Sequence, residues 1–354
     1  MQSSTLVKKA NFVWIDVARV FCACLVVALH SVEVATDSVF WNIIVDCFFS
    51  QAVPFFLIVS GFFLGKKMIA SSDAFKPALA FAKDKLVLYG AWTILWLPNL
   101  LSIYHTKYPD ASVLYFLLLL ARRILLAGEG VYWYILVMAE AAVVIGVLIR
   151  WRKEQLMYVI AVFGLLLRYL YDANVSAPGI RQINHLFYVI FSWSNNVVMM
   201  GIPFMAIGFF MARNIENRQM KQSVLATVYA LSSGCHILLF FIKSHSIPTN
   251  ILYPVQAVTL FLICVNAKST AVSPKMAHVL RDCSAVIYFM HTVFIYAVFD
   301  FFFTVNAPIA LKFMGSIGLS LLTYALVRYL KIRPIGWLFG MKFPKKDVSE
   351  RTAI

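Results

Sequence analysis

The sequence predicts an all-α polytopic integral membrane protein with about ten transmembrane helices and one extra re-entrant or interfacial helix. Three observations predict this class: an apolar composition, ten apolar segments of spanning length, and a one-sided distribution of basic residues. Of 354 residues, 62% are hydrophobic and 13% are charged, whereas a soluble domain carries about 25% charged residues. A soluble chain this apolar could not cover its own surface, so a lipid bilayer is the solvent in which it is stable.

The apolar segments have the length of membrane spans. A helix needs about 20 mostly apolar residues to cross a bilayer. Ten segments meet this requirement, near 13–32, 40–64, 86–104, 131–149, 155–172, 193–212, 222–242, 250–267, 283–303 and 309–330. An eleventh apolar run, 112–128, is interrupted by Arg122 and Arg123.

The distribution of Lys and Arg decides the topology, because cytoplasmic loops carry an excess of basic residues. With a cytoplasmic N-terminus and 112–128 left out as a span, 23 Lys and Arg residues fall on the cytoplasmic side and five on the outer side. Counting 112–128 as a span would exchange the sides of every later loop and remove this bias. We therefore expect both termini in the cytoplasm, 112–128 as a non-spanning outer helix, and a single transmembrane domain over residues 1–354. The net charge of +15 then follows from topology and requires no nucleic acid partner.

Cysteine spacing indicates neither a metal site nor a disulfide framework. The six cysteines lie in or beside apolar segments, and no pair has metal-ligand spacing. We therefore expect small buried residues and no metal. The first apolar run contains Asp16 and Arg19 and lacks a small-residue cleavage site, so we expect it to insert the chain without a cleavable signal peptide.

The first span carries ionisable residues, each of which costs about 2.5–3.5 kcal/mol in a bilayer on insertion scales. Arg19 and His30 are separated by eleven positions, which places them on one face of a helix and about 16 Å apart along its axis. Asp16 lies one turn before Arg19 and is expected to pair with it, and Glu33 lies one turn after His30, where it can orient the imidazole. A snorkelling arginine and a helix-end histidine are the alternative, but intramembrane charges usually line a functional cavity.

The second and third spans contain two further candidate sites. Ser60 and Gly61 permit close approach of helices, and they are candidates either for packing or for lining a cavity. Lys83 and Lys85, at the cytoplasmic end of the third span, are candidates to bind the phosphates of a nucleotide-like donor as point charges. The positive-inside rule also explains both lysines, and spacing alone favours that explanation.

The fourth span begins with aromatic residues and contains a carboxylate. Trp133 and Tyr134 are candidates for a cavity wall or for an interfacial aromatic belt. Glu140 lies deeper and needs a partner. We expect it either to face the active cavity or to pair with Arg168.

The ninth span contains a polar face. Ser284, Tyr288 and His291 recur at intervals of four and three residues and therefore share one side of a helix. A buried histidine bonded to a neighbouring helix is the alternative to a cavity role. His236 in the seventh span is a similar but weaker candidate.

Several of these motifs follow one another along the chain. They are the first-span Asp, Arg and His, then VPFFLIVSGFFLGKK, the basic start of the third span, YWYI, and SAVIYFMH. In this order, from residue 14 to about 300, the sequence resembles the membrane acyltransferase-3 family, the O-acyltransferases that modify bacterial surface glycans. The resemblance implies a ten-span acyltransferase domain in the bacterial cytoplasmic (inner) membrane. It also implies acyl-CoA, most often acetyl-CoA, as the cytoplasmic donor and a hydroxyl of a polysaccharide or lipid-linked glycan as the acceptor.

The resemblance also implies roles for individual residues. His30 matches the family's proposed catalytic histidine, and Arg19 matches its essential arginine. Other motif positions are matched by Ser60, Gly61, Phe62, Tyr288 and His291. The family usually has arginines at the start of the third span, where this chain has Lys83 and Lys85. Lysine cannot form the bidentate fork that arginine forms with a phosphate.

These inferences define a mechanistic hypothesis. Coenzyme A docks at the inner mouth with its phosphates near Lys83 and Lys85, and Arg19 neutralises charge along the way. His30 acts either as a general base on the acceptor hydroxyl or as a nucleophile that carries the acyl group briefly. In this hypothesis Glu33 fixes the tautomer of the His30 imidazole.

Other classes of protein fit part of the pattern. A transporter or flippase for a glycan or small solute fits ten spans as well, although transporters often contain internal repeats and none is found here. A sensory or partner-binding membrane domain is a second alternative. A proton relay through His30, His236 and His291 is a third.

Overall fold

The computed structural model describes residues 12–32, 38–128, 130–172, 178–191, 193–215, 220–242, 252–267, 273–300, 302, 307–341 and 343. Over these residues the chain is helical and contains no strand, which confirms the all-α class. The helices in chain order are α1 (Val13–Ser31), α2 (Val39–Ile69), α3 (Phe75–Lys107), α4 (Val113–Arg122), α5 (Gly130–Arg150), α6 (Glu154–Asp172), α7 (Pro178–Phe191), α8 (Val197–Asn214), α9 (Gln222–Ile242), α10 (Leu252–Asn266), α11 (Lys275–Phe299), α12 (Ile309–Tyr329) and α13 (Arg333–Leu338).

Nine helices in the described part of the chain are long and apolar enough to cross a membrane. They are α1, α2, α3, α5, α6, α8, α9, α11 and α12. The remaining predicted span, 250–267, corresponds to α10, an apolar helix whose described part has 15 residues. The chain is therefore a multi-pass membrane protein, as the composition predicts.

The interrupted apolar run forms α4 and a π-helical extension, Arg123–Ala127. These 15 residues rise about 22 Å, which is less than the roughly 30 Å of a bilayer core. The Ser112 hydroxyl caps the helix by accepting a hydrogen bond from the Tyr115 N–H. Arg122 donates a 2.8 Å hydrogen bond to the Val189 carbonyl of α7. This short helix is the extra helix that the sequence predicts.

Two helical segments differ from the sequence prediction. The sequence predicts an outer loop between the spans 155–172 and 193–212, but this region contains α7. The helix begins at a proline, a residue type favoured in the first helical turn. Its apolar residues Ile183, Leu186 and Ile190 recur at helical spacing. The third span, predicted over 86–104, belongs to a helix that begins eleven residues earlier, so both candidate lysines lie on its regular surface.

Glycines hold α2 against α8. A Cβ atom on Gly61 would lie 2.2 Å from the Met205 carbonyl oxygen, and one on Gly208 would lie 2.1 Å from the Ile58 carbonyl oxygen. The two backbones are therefore in direct contact, which is the small-residue packing typical of membrane helices. Of the two roles expected for Gly61, this contact supports packing.

The other principal helix pairs are α1 with α11 and α3 with α5. α1 also contacts α2, α10 and α12, so it has protein neighbours on several sides. Its residues from Val13 to Ser31 include Asp16, Arg19 and His30. α1 therefore places ionisable side chains near both ends of the bundle.

We expect Gly61→Ala and Gly208→Ala to destabilise the bundle. Either methyl group would overlap a carbonyl oxygen of the facing helix, and overpacking of this kind costs about 1–3 kcal/mol. The measurement is the midpoint of thermal aggregation of the detergent-solubilised protein. Gly318→Ala is the matched control, because a Cβ at this helical glycine meets nothing within 4 Å. Equal midpoints for all three variants would contradict the close contact of α2 and α8.

Candidate active site

Two cavities lie beside α1. The Arg19 cavity has a volume of about 250 Å³ and is lined by Arg19, Phe56, Ser60, Lys85, Leu88, Tyr134, Ile135, Met138, Arg281, Ser284, Ala285, Tyr288, Phe289, Phe339 and Gly340. The His30 cavity has a volume of about 580 Å³ and is lined by His30, Trp96, Asn99, Ile103, Gly130, Val131, Tyr132, Thr292, Tyr296 and Ala297. The two cavities share no lining residue. Helices α1, α3, α5 and α11 contribute to both, so one four-helix group forms two sites.

The Arg19 cavity is strongly cationic. Arg19, Lys85 and Arg281 line it, and the nearest carboxylate in ion-pair contact is Asp16. Arg19 donates to Asp16 over 2.9 Å, as the sequence predicts. Arg281 donates to both carboxylate oxygens of Asp16, over 3.0 and 3.2 Å. One carboxylate thus balances two guanidinium groups, and the cavity keeps a surplus of positive charge that favours an anionic ligand.

The two candidate lysines have different surroundings. Positions 83 and 85 are about 200° apart on a helix, so their side chains leave α3 on different sides. Lys85 lines the Arg19 cavity, with its ammonium group 5.4 Å from the centre of the Phe81 ring. Lys83 is exposed and belongs to neither cavity wall. The structure therefore brings only one of the two predicted lysines to the site.

Arg281 is a site residue that the sequence reading missed. In the charge count it is one of the 23 basic residues on the cytoplasmic side. Yet it lies one turn before Ser284 and two turns before Tyr288, on the polar face already noted for the ninth span. Extending that face by one turn would have identified it.

Hydroxyl groups line the Arg19 cavity beside its cations. Ser60, Tyr134 and Tyr288 are all in the wall. The Tyr134 and Tyr288 rings meet edge to face with centroids 5.3 Å apart, and Phe56 contacts both rings. The Tyr288 hydroxyl donates a 2.5 Å hydrogen bond to the Val131 carbonyl. This bond ties α11 to the start of α5.

His30 lies next to a second histidine. The ring centroids of His30 and His291 are 5.1 Å apart. His291 is fully buried, and its Nδ1 lies 2.7 Å from the Tyr288 carbonyl oxygen. Because a carbonyl oxygen only accepts, Nδ1 carries the hydrogen, and in the neutral ring Nε2 holds a lone pair. Within the described residues, Nε2 has no hydrogen-bond partner.

The remaining candidates lie outside the two cavity walls. Trp133 is buried and packs edge to face against Trp193, with centroids 6.0 Å apart. Glu140 belongs to neither wall, and one of its carboxylate oxygens is buried without a hydrogen-bond partner among the described residues. His236 is buried in α9 and also lines neither cavity. Glu33 lies outside the described residues.

The expected pairing of Glu140 with Arg168 is wrong. Arg168 donates to Asp172 over 2.5 Å and to the Asn195 side-chain oxygen over 2.8 Å. Asp172 follows Arg168 by four residues on α6, so the two side chains share one face of the same helix. This local partner satisfies the guanidinium without a contact from α5.

Among the described residues, no group of three or more His, Cys, Asp or Glu side chains has the arrangement needed to bind a metal ion. The side chains that line the two cavities offer imidazole, guanidinium, ammonium, hydroxyl and amide groups. Polar and charged side chains inside a membrane-spanning bundle mark a site for a polar ligand or reaction within the membrane.

Comparison with known families identifies the chemistry at the level of reaction class. The acyltransferase domain model of the acyltransferase-3 family matches residues 12–330. The chain therefore belongs to this family and is a membrane acyltransferase. No curated protein and no solved structure gives a significant match to the chain.

We expect Asp16→Asn to lower the thermal stability of the solubilised protein. The substitution leaves Arg19 and Arg281 without their shared counter-charge in a largely buried place, at a cost of about 1–3 kcal/mol. The midpoint of thermal unfolding measures the effect. Asp84→Asn is the control, because Asp84 is an exposed carboxylate on α3. An Asp16→Asn protein as stable as this control would argue against the ion pairs that join α1 to α11.

Proposed function

We propose that this protein is an O-acyltransferase of the bacterial inner membrane. It transfers an acetyl group from acetyl-CoA on the cytoplasmic side to a hydroxyl of a cell-surface polysaccharide or lipid-linked glycan on the outer side. One observation carries the proposal: a single helix has Arg19 in a cationic cavity and His30 in a second cavity, about 16 Å further along. Donor and acceptor thus have separate sites at the two ends of one element.

The positive charge of the Arg19 cavity supports coenzyme A as the carrier of the donated group. Coenzyme A carries several phosphate groups, and guanidinium groups bind phosphate with paired, charge-assisted hydrogen bonds. Arg281 is held by Asp16 while its side chain remains 46% exposed, so it can meet a phosphate at the mouth. The cavity volume of about 250 Å³ is below the roughly 300–1,000 Å³ of pockets that enclose a drug-sized ligand. The cavity is therefore too small for the whole of coenzyme A: the thioester end enters it, and the phosphates meet the cations of the wall from the mouth.

The lining of the His30 cavity supports a sugar acceptor. Trp96 and Tyr296 contribute aromatic surface, and Asn99 contributes an amide. Aromatic faces pack against the C–H groups of a sugar ring, and an amide both donates to and accepts from its hydroxyl groups. The larger volume of this cavity agrees with an acceptor that is bulkier than the group it receives.

The chemistry centres on His30 in two possible orders. As a general base, His30 takes the proton of the acceptor hydroxyl while the oxygen attacks the thioester carbonyl. The carbon–sulfur bond breaks, and the coenzyme A thiolate receives a proton. As a nucleophile, the His30 nitrogen attacks the thioester carbonyl, the carbon–sulfur bond breaks and the coenzyme A thiolate leaves. The acceptor hydroxyl then attacks the acyl-imidazole, the carbon–nitrogen bond breaks, and the hydroxyl proton passes to the released imidazole. In both orders His291 is a positioning residue, because its own ring is oriented by backbone carbonyls beside His30.

We expect His30→Ala to abolish acyl transfer. Loss of a general base alone lowers a rate by about 10²–10⁴-fold, and loss of an acyl carrier removes the route entirely. The measurement is transfer of labelled acetyl from acetyl-CoA to membrane glycans, with surface glycans of a deletion strain and its parent compared by mass spectrometry. His105→Ala, at an exposed histidine of α3, is the control. Arg19→Ala should also lose transfer, and parental transfer by either variant would refute the proposed mechanism.

The two lysines of α3 form a matched pair for testing the donor site. We expect Lys85→Ala to raise the KM for acetyl-CoA by about tenfold, equivalent to about 1.4 kcal/mol of lost phosphate attraction. Lys83→Ala should leave KM within about twofold, because this side chain is exposed and lies outside the cavity wall. The thermal shift caused by coenzyme A alone gives a second readout that needs no acceptor. Equal effects of the two substitutions would place the donor elsewhere.

A further inference from the structure

On two helices the walls of the two cavities come within one helical turn of each other. On α11, Phe289 lines the Arg19 cavity and Thr292 lines the His30 cavity, and three residues of a helix rise about 4.5 Å. At the start of α5, Tyr132 lines the His30 cavity and Tyr134 lines the Arg19 cavity. A single layer of side chains from α5 and α11 therefore separates the two sites.

Aromatic rings fill this layer. The Tyr132 and Phe289 rings are nearly parallel, with centroids 6.3 Å apart and an interplanar angle of 18°. Trp92 stacks on both, at 5.1 Å from Tyr132 and 5.2 Å from Phe289. The Trp92 indole donates a 2.9 Å hydrogen bond to the Leu338 carbonyl and lines neither cavity. Trp92 is thus a fixed backing against which the other two rings pack.

Phe289 is the ring that meets the donor side. It is 6% exposed, and that exposure lies beside a cavity, whereas Tyr132 is 1% exposed. Phe339 also contacts the Phe289 ring, with centroids 6.4 Å apart, and its own ring lies 6.0 Å from that of Trp92. The Phe289 side chain is therefore nearly buried among aromatic rings, and the space it leaves free is small.

We infer that Phe289, stacked with Tyr132 and Trp92, forms the passage between the two cavities and limits the length of the acyl group that is transferred. The inference rests on the proposed function, because it assumes that a group bound at the Arg19 cavity reacts at His30. The thioester carbonyl must reach the imidazole across this one layer. At reaction the carbonyl carbon lies beside the imidazole, and the acyl chain bonded to it lies next to this layer. Acetyl brings one methyl group there, whereas a longer chain must also fit its methylenes beside three packed rings.

The expected discrimination is large. One additional methylene in a tight apolar site changes specificity by about 10–200-fold. A four-carbon butyryl group should therefore be transferred far less efficiently than acetyl by the native protein. Removing the Phe289 ring opens the layer on the donor side and should relax this discrimination without altering the cationic groups.

The experiment compares acetyl-CoA and butyryl-CoA as donors in membranes that contain the native acceptor. The readout is the ratio of butyryl to acetyl transferred to glycan, measured by mass spectrometry. Phe289→Ala should raise this ratio by about tenfold or more, and Phe289→Leu should raise it by a smaller factor. Phe204→Ala and Phe204→Leu are matched controls, because Phe204 is a fully buried phenylalanine of α8 that lines neither cavity. Their ratios should equal that of the native protein.

The outcomes separate this inference from the proposed function. If the Phe289 variants transfer acetyl with an unchanged ratio, the passage assigned to Phe289 is wrong while the O-acyltransferase function stands. If the Phe204 variants raise the ratio equally, the effect comes from general loosening and the inference is overturned. If native membranes transfer neither group, the proposed function fails and this inference fails with it. Should Phe289→Ala not accumulate in membranes, Phe289→Leu decides the question alone.

Discussion

The Asp16 carboxylate, shared by Arg19 and Arg281, is the interaction on which the arrangement of the site depends. Ionisable groups are costly inside a bilayer, so each of these three side chains needs the others. The pairing joins α1 to α11 across 265 residues of sequence. Because α1 also carries His30 and α11 also carries His291, the same pairing sets the register in which the two imidazoles meet.

The cost of charge in lipid also explains why so much of the fold can be predicted from the sequence. Composition, span length and the distribution of Lys and Arg predict a multi-pass helical bundle, and a hydrophobic segment of 20 residues has few other solutions. The positions of Arg19 and His30 on one face of α1 follow from helical periodicity alone. The same periodicity explains why Lys85 lines the Arg19 cavity and Lys83 does not, but only once α3 is known to begin at Phe75.

The parts of the site that sequence reasoning missed are tertiary. Arg281 looks like ordinary positive-inside charge, and only its contact with Asp16 distinguishes it from the other basic residues near the ends of the spans. Trp92, Tyr132 and Phe289 are three aromatic residues in a chain with 54 Phe, Tyr and Trp residues, and no spacing rule connects three different helices. The predicted pairing of Glu140 with Arg168 is wrong because Arg168 pairs with Asp172, one turn away on α6.

Phe339 and Gly340 complete the wall of the Arg19 cavity from beyond the final span, opposite residues of the first helix. During synthesis, α1 enters the membrane long before this segment leaves the ribosome. The wall of the cationic site on α1 is therefore completed only when residues near 340, which are synthesised after α12, pack against Trp92.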